Sequence, residues 1–488
     1  IEFVIRHDNV EDLVIPSYAY LFEGSDDQTR NDVIKYNLND LIATKKFYFK
    51  STKEIQLRKS LSKKYNLRLL NANDPKMGAE IFAARLAPKL GIKISELRQM
   101  QTNRHMVSVK DCVFPYINFK TKVLQRLLEN VKTVQVYEHS TKGAWEDEVV
   151  FKVVRYKFGL GGIHGCIKSK LKKVEGGNKL KPHEEVSSIY EESDTHIIIT
   201  SDGTSYYPNL SIKNRFYPEH LTSIYCDVYE DIFNERRTYP KGTPENYGLK
   251  IALNGTFGKS NDQYSFFKDL KYMLTTTVNG QLLIMMLCER VSHLGQILMA
   301  NTDGIEIRIP KEKKDEYLSI CSKWEKFSGL ELEHDQYKKM IIRDVNNYMA
   351  FKHKGDPYMK GTFEVDKMLW KDHSQLIVPK AVRAYYEHGT PVREFIRNHD
   401  DIFDFYIRLK IKSNFKAEIR YIEGQNLNTV ELSKTTRYYV SKIGVYIYRI
   451  KDDGATAAIK KGQRCTVANK HVEIPIEERK IDYLYYEH

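Results

Sequence analysis

Two acidic residues lie where short apolar runs, predicted to be strands, end in turns. Asp202 directly follows the run 195–201 (THIIITS) and begins the segment DGTSYYP. Asp303 lies in the turn NTDG of a hairpin predicted over 295–309. A carboxylate at the end of a strand can hold a hard cation such as Mg²⁺ at the edge of a sheet. Considered alone, each Asp-Gly pair is explained better by an ordinary tight turn.

A helix predicted from about Glu245 through Gly258 lies between these two acidic residues in the sequence. Lys250, Asn254 and Phe257 are spaced i, i+4 and i+7, so they share one face of this helix. An ammonium, an amide and an aromatic ring suit a nucleoside triphosphate, and Gly258 leaves room for a base pair. Considered alone, an amphipathic helix with a glycine near its end explains the pattern about equally well.

The combination of these features favours phosphoryl transfer over the purely structural explanations. Two carboxylates can hold two Mg²⁺ ions roughly 3.5–4 Å apart. One ion lowers the pKa of an attacking hydroxyl, the second stabilises the leaving pyrophosphate, and cationic side chains balance the charge of the triphosphate. Asp202, Asp303 and Lys250 together supply the side chains that this reaction needs.

Composition narrows the class of protein. The chain has 488 residues, 41% of them hydrophobic and 12% aromatic, so we expect a globular protein with about three domains or subdomains. Lys and Arg number 77 and Asp and Glu 64, and the net charge of +13 favours a polyanionic partner, nucleic acid first. The sequence contains no run of 18 apolar residues, so no membrane-spanning helix is predicted. The six cysteines form no C-x-x-C pair, which argues against a zinc ribbon or a redox motif.

The elements that must position these side chains are a mixture of helices and short strands. Short strands are predicted within 133–164, and a helix over 219–237 follows Pro218. A basic loop over 168–181 is predicted to be exposed. The first 50 residues end in an amphipathic helical pattern, whose apolar positions are Val33, Ile34, Leu38, Leu41, Ile42 and Phe47.

Three segments, in this order, resemble the motifs of family B (α-type) DNA polymerases of the kind found in bacteriophages. The segment that begins at Asp202 resembles motif A, D-x-x-S-L-Y-P. The segment that begins at Lys250 resembles motif B, K-x-x-x-N-S-x-Y-G, with Gly255 for Ser and Phe257 for Tyr. The turn NTDG resembles motif C, D-T-D-S, with Asn301 in place of its first acid.

Four further segments extend the resemblance over most of the chain. YNLND, from Tyr36 to Asp40, is similar to the third exonuclease motif, Y-x-x-x-D. GLGG, which contains Gly161 and Gly162, is similar to the Y-x-G-G linker at the template strand. IFNERR is similar to the fingers helix whose Arg meets the incoming triphosphate. VNNY (345–348), followed by Lys360 and Gly361, is similar to the primer-binding strand K-K-R-Y, with Asn346 where lysine is expected.

The resemblance implies an α+β fold, the polymerase right hand, with an antiparallel palm sheet, helical fingers and a thumb. It also implies a remnant of an RNase H-like exonuclease domain at the N-terminus, because no D-x-E motif precedes Tyr36. We therefore expect an N-terminally truncated sequence that does not proofread. The implied divisions are 1–52 (exonuclease remnant), 53–157 (connecting region), 158–213 (palm with motif A), 214–258 (fingers), 259–370 (palm with motif C) and 371–488 (thumb and C-terminal region).

The resemblance also implies roles for individual residues. Asp202 and Asp303, with the carbonyl of Gly203, would hold two Mg²⁺ ions, with Mn²⁺ as an alternative ion. Tyr207 would be the steric gate against a ribose 2′-hydroxyl. Arg236 (with Arg237 as its near rival) and Lys250 would hold the triphosphate, and Asn254 and Phe257 would line the nascent base pair. The implied DNA contacts are Gly161, Gly162, Gly258, Thr302, Tyr348 and Lys360.

The expected function is template-directed DNA synthesis in phage replication, by a monomer in the host cytoplasm with primed template DNA and dNTPs as partners and no membrane. Two alternatives stay open. The first is a non-catalytic DNA-binding remnant of a polymerase, which Asn301 and the lost exonuclease motifs favour but the retained Asp202 and Asp303 oppose. The second is a primase-like nucleotidyltransferase that uses NTPs, which the bulky ring of Tyr207 opposes.

Overall fold

The chain forms two compact units. The central unit is Glu54–Gly361, and the terminal unit combines Ile1–Lys53 with Thr362–His488. The basic loop predicted over 168–181 lies outside the described residues. The computed structural model describes residues 2–10, 27–141, 143–167, 188–365, 373–412, 414–424 and 426–488.

Helices and strands alternate irregularly along the chain. The α-helices of the described residues are α1 Asp27–Lys50, α2 Thr52–Tyr65, α3 Asp74–Leu90, α4 Ile94–Leu97, α5 Lys122–Thr133, α6 Tyr206–Asn214, α7 Ile224–Thr238, α8 Pro244–Gly258, α9 Leu270–Val291, α10 Lys314–Ser328, α11 Ile377–His388, α12 Val392–Arg397 and α13 Tyr483–Glu487. The strands are β1 Met106–Ser108, β2 Gln135–Tyr137, β3 Glu146–Phe151, β4 Val154–Gly159, β5 His164–Ile167, β6 Ser188–Glu191, β7 His196–Gly203, β8 Gln296–Asn301, β9 Gly304–Pro310, β10 Leu332–Asp344, β11 Asn347–Lys352, β12 Tyr358–Lys360, β13 Ile407–Lys410, β14 Phe415–Glu423, β15 Asn426–Leu432, β16 Thr435–Lys451, β17 Thr456–Ala458 and β18 Cys465–Val467.

The central unit is built on an antiparallel sheet in the strand order β12-β11-β10-β7-β9-β8-β5-β4-β3, and β6 also pairs with β10. Helix α9 contacts β8 and β9, and nearly all of its residues are buried, including the polar Thr276, Asn279 and Gln281. Side chains of α9 and of the central strands form one continuous core. The predicted α+β class with an antiparallel sheet is confirmed, as are the strand over 195–201 and the hairpin over 295–309.

The turn between β8 and β9 is held from both sides. Thr302 has a φ of 57°, which a β-branched residue rarely adopts, and its N–H donates to the carbonyl of Ile163 at 2.8 Å. A Cβ at Gly162 would lie only 2.6 Å from Thr302 Oγ1, so this close approach requires glycine. On the other side, Asn301 Nδ2 donates to the carbonyl of Val345 at 3.1 Å. These contacts fix the position of the turn and of Asp303 within it.

A helical lobe in the central unit is larger than the predicted range 214–258. α7 and α8 share one apolar core with residues from α2 and α3, and α3 packs most closely against α8. A Cβ at Gly78 of α3 would overlap the backbone of Ile251, so the two helices touch at backbone distance. The predicted helix over 219–237 begins later than expected, at Ile224, because Thr222 at a φ of 55° interrupts it.

Helix α1 forms where the amphipathic pattern of the first 50 residues predicted a helix. The helix is present, but its apolar side chains are exposed, with Leu41 65% and Ile42 59% accessible, and only Ala43 is buried among its described residues. A spacing of three or four residues therefore predicted the helix but not what covers its apolar side. None of the helices in the described part of the chain has the length and apolarity needed to cross a lipid bilayer.

The terminal unit contains a sheet in the order β13-β16-β14-β15, with β17 and β18 also paired to β16. Arg437 of β16 lies at its centre, 1% exposed, and donates to the backbone carbonyls of His7, Asp8 and Ala468. These carbonyls occupy the guanidinium, and no side-chain surface of Arg437 remains for a ligand.

Candidate active site

A cavity of about 400 Å³ opens where the end of β7, the β8–β9 turn and helices α6, α7 and α8 meet. The cavity brings together residues predicted to bind metal and nucleotide, which lie up to about a hundred positions apart in the sequence. The predicted residues that line it are Asp202, Gly203, Tyr207, Arg236, Lys250, Asn254, Phe257, Thr302 and Asp303. Lys241 and Glu333 also line the cavity and were not predicted from the sequence.

The two acidic residues come together through the pairing of β7 with β9. Asp202 lies opposite Gly304, and the N–H of Gly203 donates to the carbonyl of Asp303 at 2.8 Å. A Cβ at position 304 would overlap Asp202 Oδ1, so glycine after Asp303 is what leaves room for the first carboxylate. Strand pairing therefore sets the distance between the carboxylates, independently of any metal.

The environment disfavours ionisation of both carboxyl groups. Burial raises the pKa of Asp303 to about 6, and the neighbouring carboxylate of Asp202 adds to this rise. Burial also raises the pKa of Asp202, helped by the carboxylates of Glu333 and Asp335 and opposed by the hydroxyl of Thr200, which donates to Asp202 Oδ2 at 3.2 Å. A divalent cation between the two groups would remove this penalty.

The donor set suits Mg²⁺ better than a metal held only by protein side chains. Among the described residues, no group of three or more His, Cys, Asp or Glu side chains could hold a metal ion. Mg²⁺ is commonly bound by one or two carboxylates together with phosphate oxygens and water. Asp202 and Asp303, which both face the open cavity, fit that description.

Glu306 is a third carboxyl group near the site and was not predicted from the sequence. It lies on β9 opposite Thr200 in the sheet and is only 4% exposed. Its Oε2 is buried and has no hydrogen-bond partner. Burial, then the carboxylates of Asp202 and Asp303, raise its pKa well above the ordinary value. Only the neighbouring strands, which cover this face, reveal its position.

Arg236 and Arg237 are adjacent in sequence but face different surroundings. Arg236 lines the cavity, where its Nη1 donates to Ser205 Oγ at 3.0 Å. Burial lowers its pKa, and the nearby carboxylate of Glu333 opposes that change. The Nη1 of Arg237 lies 3.9 Å from Glu331, and Arg237 does not line the cavity.

Helix α8 presents its predicted face to the cavity because its first turn is capped and is tied to the end of α7. Thr243 caps it by accepting from the N–H of Asn246, and Pro244 occupies its first position. The side chain of Asn246 then donates to the carbonyls of Arg236 and Tyr239, which ties α8 to the end of α7. Leu249, Ala252 and Leu253 are buried in the lobe, and Lys250, Asn254 and Phe257 are left on the opposite face.

Tyr207 is held tightly from two sides. Its ring lies 4.5 Å from that of Phe257 between centroids, at an interplanar angle of 44°. A Cβ at Gly280 of α9 would lie 2.9 Å from its Cε1. The hydroxyl is buried without a partner, and burial raises its pKa. A ring confined in this way can act as a rigid wall of the cavity.

The remaining predicted DNA contacts lie around the cavity rather than in it. Gly162 packs against Thr302 at the turn, and a Cβ at Gly161 or at Gly258 would meet nothing within 4 Å. Tyr348 lies opposite Lys360 in the β11–β12 pair, and the ammonium of Lys360 opposes the rise in the pKa of Asp303. Tyr36 and Asp40, from the predicted exonuclease remnant, lie on α1 of the terminal unit.

Asn301, which replaces the first acid of motif C, has a structural task. Its Nδ2 donates to the carbonyl of Val345, and its Oδ1 accepts from Thr302 Oγ1 at 3.3 Å. An aspartate could not make the first of these bonds, because an ionised carboxylate has no hydrogen to donate. The amide therefore braces the turn that carries Asp303.

Comparison with known proteins adds a distant structural likeness. No protein-family model matches the chain, and no curated protein is similar to it. Among solved structures, the chain is similar to the family B DNA polymerase from the hyperthermophilic archaeon Pyrobaculum calidifontis, at 12% sequence identity and a TM-score of 0.45. The match covers 100% of this chain and 61% of that polymerase, so the chain spans less than two thirds of its length.

Proposed function

We propose that the chain is a template-directed DNA polymerase that adds deoxynucleotides to the 3′-hydroxyl of a primer. One observation carries the proposal, namely that a single cavity holds two opposite kinds of charge. Asp202 and Asp303 are carboxyl groups whose ionised forms a cation would stabilise, and Arg236 and Lys250 are cations that line the same cavity. A nucleoside triphosphate with its divalent ions complements both sets.

In this proposal Asp202 and Asp303 hold two Mg²⁺ ions, helped by the carbonyl of Gly203, and Mn²⁺ is an alternative ion. When bound, such ions lower the pKa of a hydroxyl and stabilise a leaving pyrophosphate. The residues of the chain do the positioning. Arg236, oriented by Ser205, and Lys250 neutralise the triphosphate and hold it along the face of α8.

Tyr207 and Phe257 account for the choice of sugar and base. Their rings contact each other and form one wall of the cavity, with Asn254 beside them. Because Gly280 and Phe257 leave the ring of Tyr207 no room to rotate away, a ribose 2′-hydroxyl would meet it. The same wall presents an apolar surface to a nascent base pair.

The wider assignment follows the same proposal. The central sheet would be the palm, the helical lobe the fingers, and the region beyond residue 370 the thumb, with Tyr36 and Asp40 as a remnant of an exonuclease domain. The net charge of +13 suits contact with primer and template phosphates, so DNA binding should weaken steeply as salt rises. Lys360, beside Asp303, is placed to contact the primer end.

Primer extension on a primed template tests the proposal. The parent chain should extend the primer with Mg²⁺ and dNTPs in the order that the template dictates, and should use NTPs poorly. Asp303→Asn should abolish extension, since the substitution removes one of two carboxylates. Asp335→Asn, which changes an exposed acid on β10 that is paired with Lys352, is the matched control and should extend normally.

Two results would contradict the proposal. Salt-sensitive DNA binding without any extension, at all concentrations of Mg²⁺ and Mn²⁺, would favour the non-catalytic alternative. Extension with NTPs as efficient as with dNTPs would favour the primase-like alternative and remove the role given to Tyr207.

A further inference from the structure

A second cavity, of about 460 Å³, lies entirely within the terminal unit. It is bounded by the end of β13, the start of β14, the outer part of β16 and the residues of β17. Three cationic side chains, Lys410, Lys412 and Arg449, line it together with the ring of Phe415. Its size falls within the range of about 300–1,000 Å³ that is usual for small-molecule sites.

The charge of this cavity is unbalanced. Among the residues that the structure describes, no acidic side chain lines it and none of its three cations forms an ion pair. The nearest acids along the chain, Asp452 and Asp453, belong to the turn between β16 and β17, where Asp453 accepts from the N–H of Ala455. Repulsion among three unpaired cations costs free energy that an anionic ligand would recover.

The other face of the same sheet shows the contrast. There Lys416 is paired with Glu431 at 3.2 Å, and Arg420 is paired with Glu418 at 2.5 Å. Strand pairing places Lys416 opposite Ile450 and Arg449 opposite Ala417, so Lys416 and Arg449 point to opposite faces. Cations on one face are neutralised locally, and those around the cavity are not.

The cavity also offers a surface for a planar group. Arg449 lies over the ring of Phe415, with its Cζ 5.2 Å from the ring centroid, and the ring is half-buried. Ala457 and Ala458, which have small side chains, also line the cavity. Aromatic rings and arginine planes are the surfaces on which unpaired bases stack in proteins that bind single strands.

We propose that this cavity binds one nucleotide of a single-stranded nucleic acid, with its phosphates at Lys410 and Lys412 and its base against the Phe415–Arg449 pair. A duplex fits less well, because its bases are stacked inside the helix and present no free face to the ring. The site requires neither a divalent ion nor nucleotide addition, and it stands independently of the polymerase proposal.

Photocrosslinking with an oligo-dT of about 12 nucleotides that carries 5-iodouracil tests this binding at a single site. The full chain is used in EDTA, and crosslinked peptides are mapped and quantified as the oligonucleotide is titrated. We expect a crosslink in the peptide that contains Phe415. Because the signal belongs to one peptide, binding at the candidate active site does not contribute to it.

Removal of cationic side chains tests the proposed phosphate contacts quantitatively. Each lost phosphate contact should reduce the slope of log K against the logarithm of salt concentration by about 0.7. At 0.05 M salt this corresponds to about eightfold weaker binding. Lys412→Ala should show that loss once, and Lys410→Ala with Lys412→Ala about twice, in both slope and logarithm of affinity. Lys416→Ala with Arg420→Ala, on the opposite face, should leave the titration within about twofold of the parent. Lys412 is exposed, so its single replacement keeps the test valid if the double variant unfolds.

The proposed contact with the base is tested separately. Phe415→Leu should weaken binding of oligo-dT and leave the salt slope unchanged, whereas an abasic oligonucleotide should bind parent and variant equally. Absence of any crosslink near Phe415, or an unchanged slope in the double variant, would overturn the proposal. Equal competition by blunt duplex, or by free AMP at the same nucleotide concentration, would overturn the assignment to a single strand.

Discussion

Replacing Asp303 with asparagine should stabilise the metal-free protein near neutral pH, even though the same change should abolish primer extension. The reason is that the folded structure holds this carboxyl group in buried surroundings beside the carboxylate of Asp202. Asparagine has nearly the same shape and carries no charge. The substitution therefore removes an unfavourable charge and leaves the β8–β9 turn intact.

The size of the effect follows from the pKa. The ordinary pKa of 3.8 rises to about 6 for Asp303 in the folded protein, and a pKa difference of one corresponds to about 1.36 kcal/mol. Ionised Asp303 therefore costs the folded state about 3 kcal/mol. A unit of about 300 residues unfolds with an entropy of about 0.6 kcal/mol per degree, so Asp303→Asn should raise the melting temperature of the central unit by about 5 °C.

The sign of the pH dependence is specific. Between the pKa of the unfolded chain and that of the folded chain, the folded state holds more protons, so the stability of the parent falls as pH rises through this window. The gain from Asp303→Asn should be complete above about pH 7 and absent below about pH 3. Most acidic residues that are ion-paired in the folded state show the opposite trend, because their pKa is lowered.

Thermal unfolding followed by circular dichroism at several pH values, in EDTA and in Mg²⁺, provides the assay. A Mg²⁺ concentration a hundred times the dissociation constant should nearly remove this difference, since an ion bound at the two carboxylates stabilises only the parent, by about 2.7 kcal/mol. Asp335→Asn is the control. Lys352 lowers the pKa of Asp335, so its loss should change stability by less than about 1 kcal/mol and in the destabilising direction.

An Asp303→Asn variant that is no more stable than the parent in EDTA at pH 8 would refute this reasoning. It would mean that the two carboxylates do not oppose each other in the folded protein. A parent chain that gains no stability from Mg²⁺ or Mn²⁺ would separately refute the metal site, whatever the stability of the variant.

Three further predictions concern the surroundings of the site. Tyr207→Ala should raise the efficiency of NTP incorporation relative to dNTP by at least about tenfold in single-nucleotide extension, and an unchanged ratio would exclude the ring as the sugar gate. Arg236→Ala should raise the KM for dNTP by about tenfold or more while Arg237→Ala changes it by less than about twofold, and equal effects would show that the helix does not favour one of them. Glu306→Gln should raise the denaturant midpoint of the metal-free protein at pH 8 and not at pH 4. Above the ordinary pKa of 4.5 the unfolded chain ionises this carboxyl, whereas burial in the fold disfavours its ionisation, and this difference costs stability; the same gain at both pH values would contradict this.

Local features of the site were predictable because they depend on geometry within a few residues. The face shared by Lys250, Asn254 and Phe257 follows from the helical repeat alone, and the structure does present that face to the cavity. The turn at Asp303 follows from a short polar segment between two apolar runs. In both cases neighbours in sequence determine the conformation, so no knowledge of the fold was needed.

Features that depend on distant parts of the chain were missed. Glu306 and Arg308 alternate with apolar residues as on a solvent-facing strand, yet the neighbouring strands bury Glu306. Arg437 has the sequence surroundings of a surface contact and instead binds carbonyls from the N-terminal segment, more than 400 positions away. Burial is a property of what packs against a residue, and one strand or helix carries no record of its neighbours.

The sequence by itself determined the types of chemistry available and the short-range order that carries them: two carboxylates in turns, a cationic and aromatic helix face, and an excess of positive charge. Tertiary structure alone decided which of these meet. Arg236 lines the cavity and Arg237 does not, because adjacent residues point in different directions around a helix and the packing of α7 determines which of them faces the cavity. Tertiary structure also brought Asp202 beside Asp303, because the pairing of β7 with β9 sets a distance that no spacing along the chain contains.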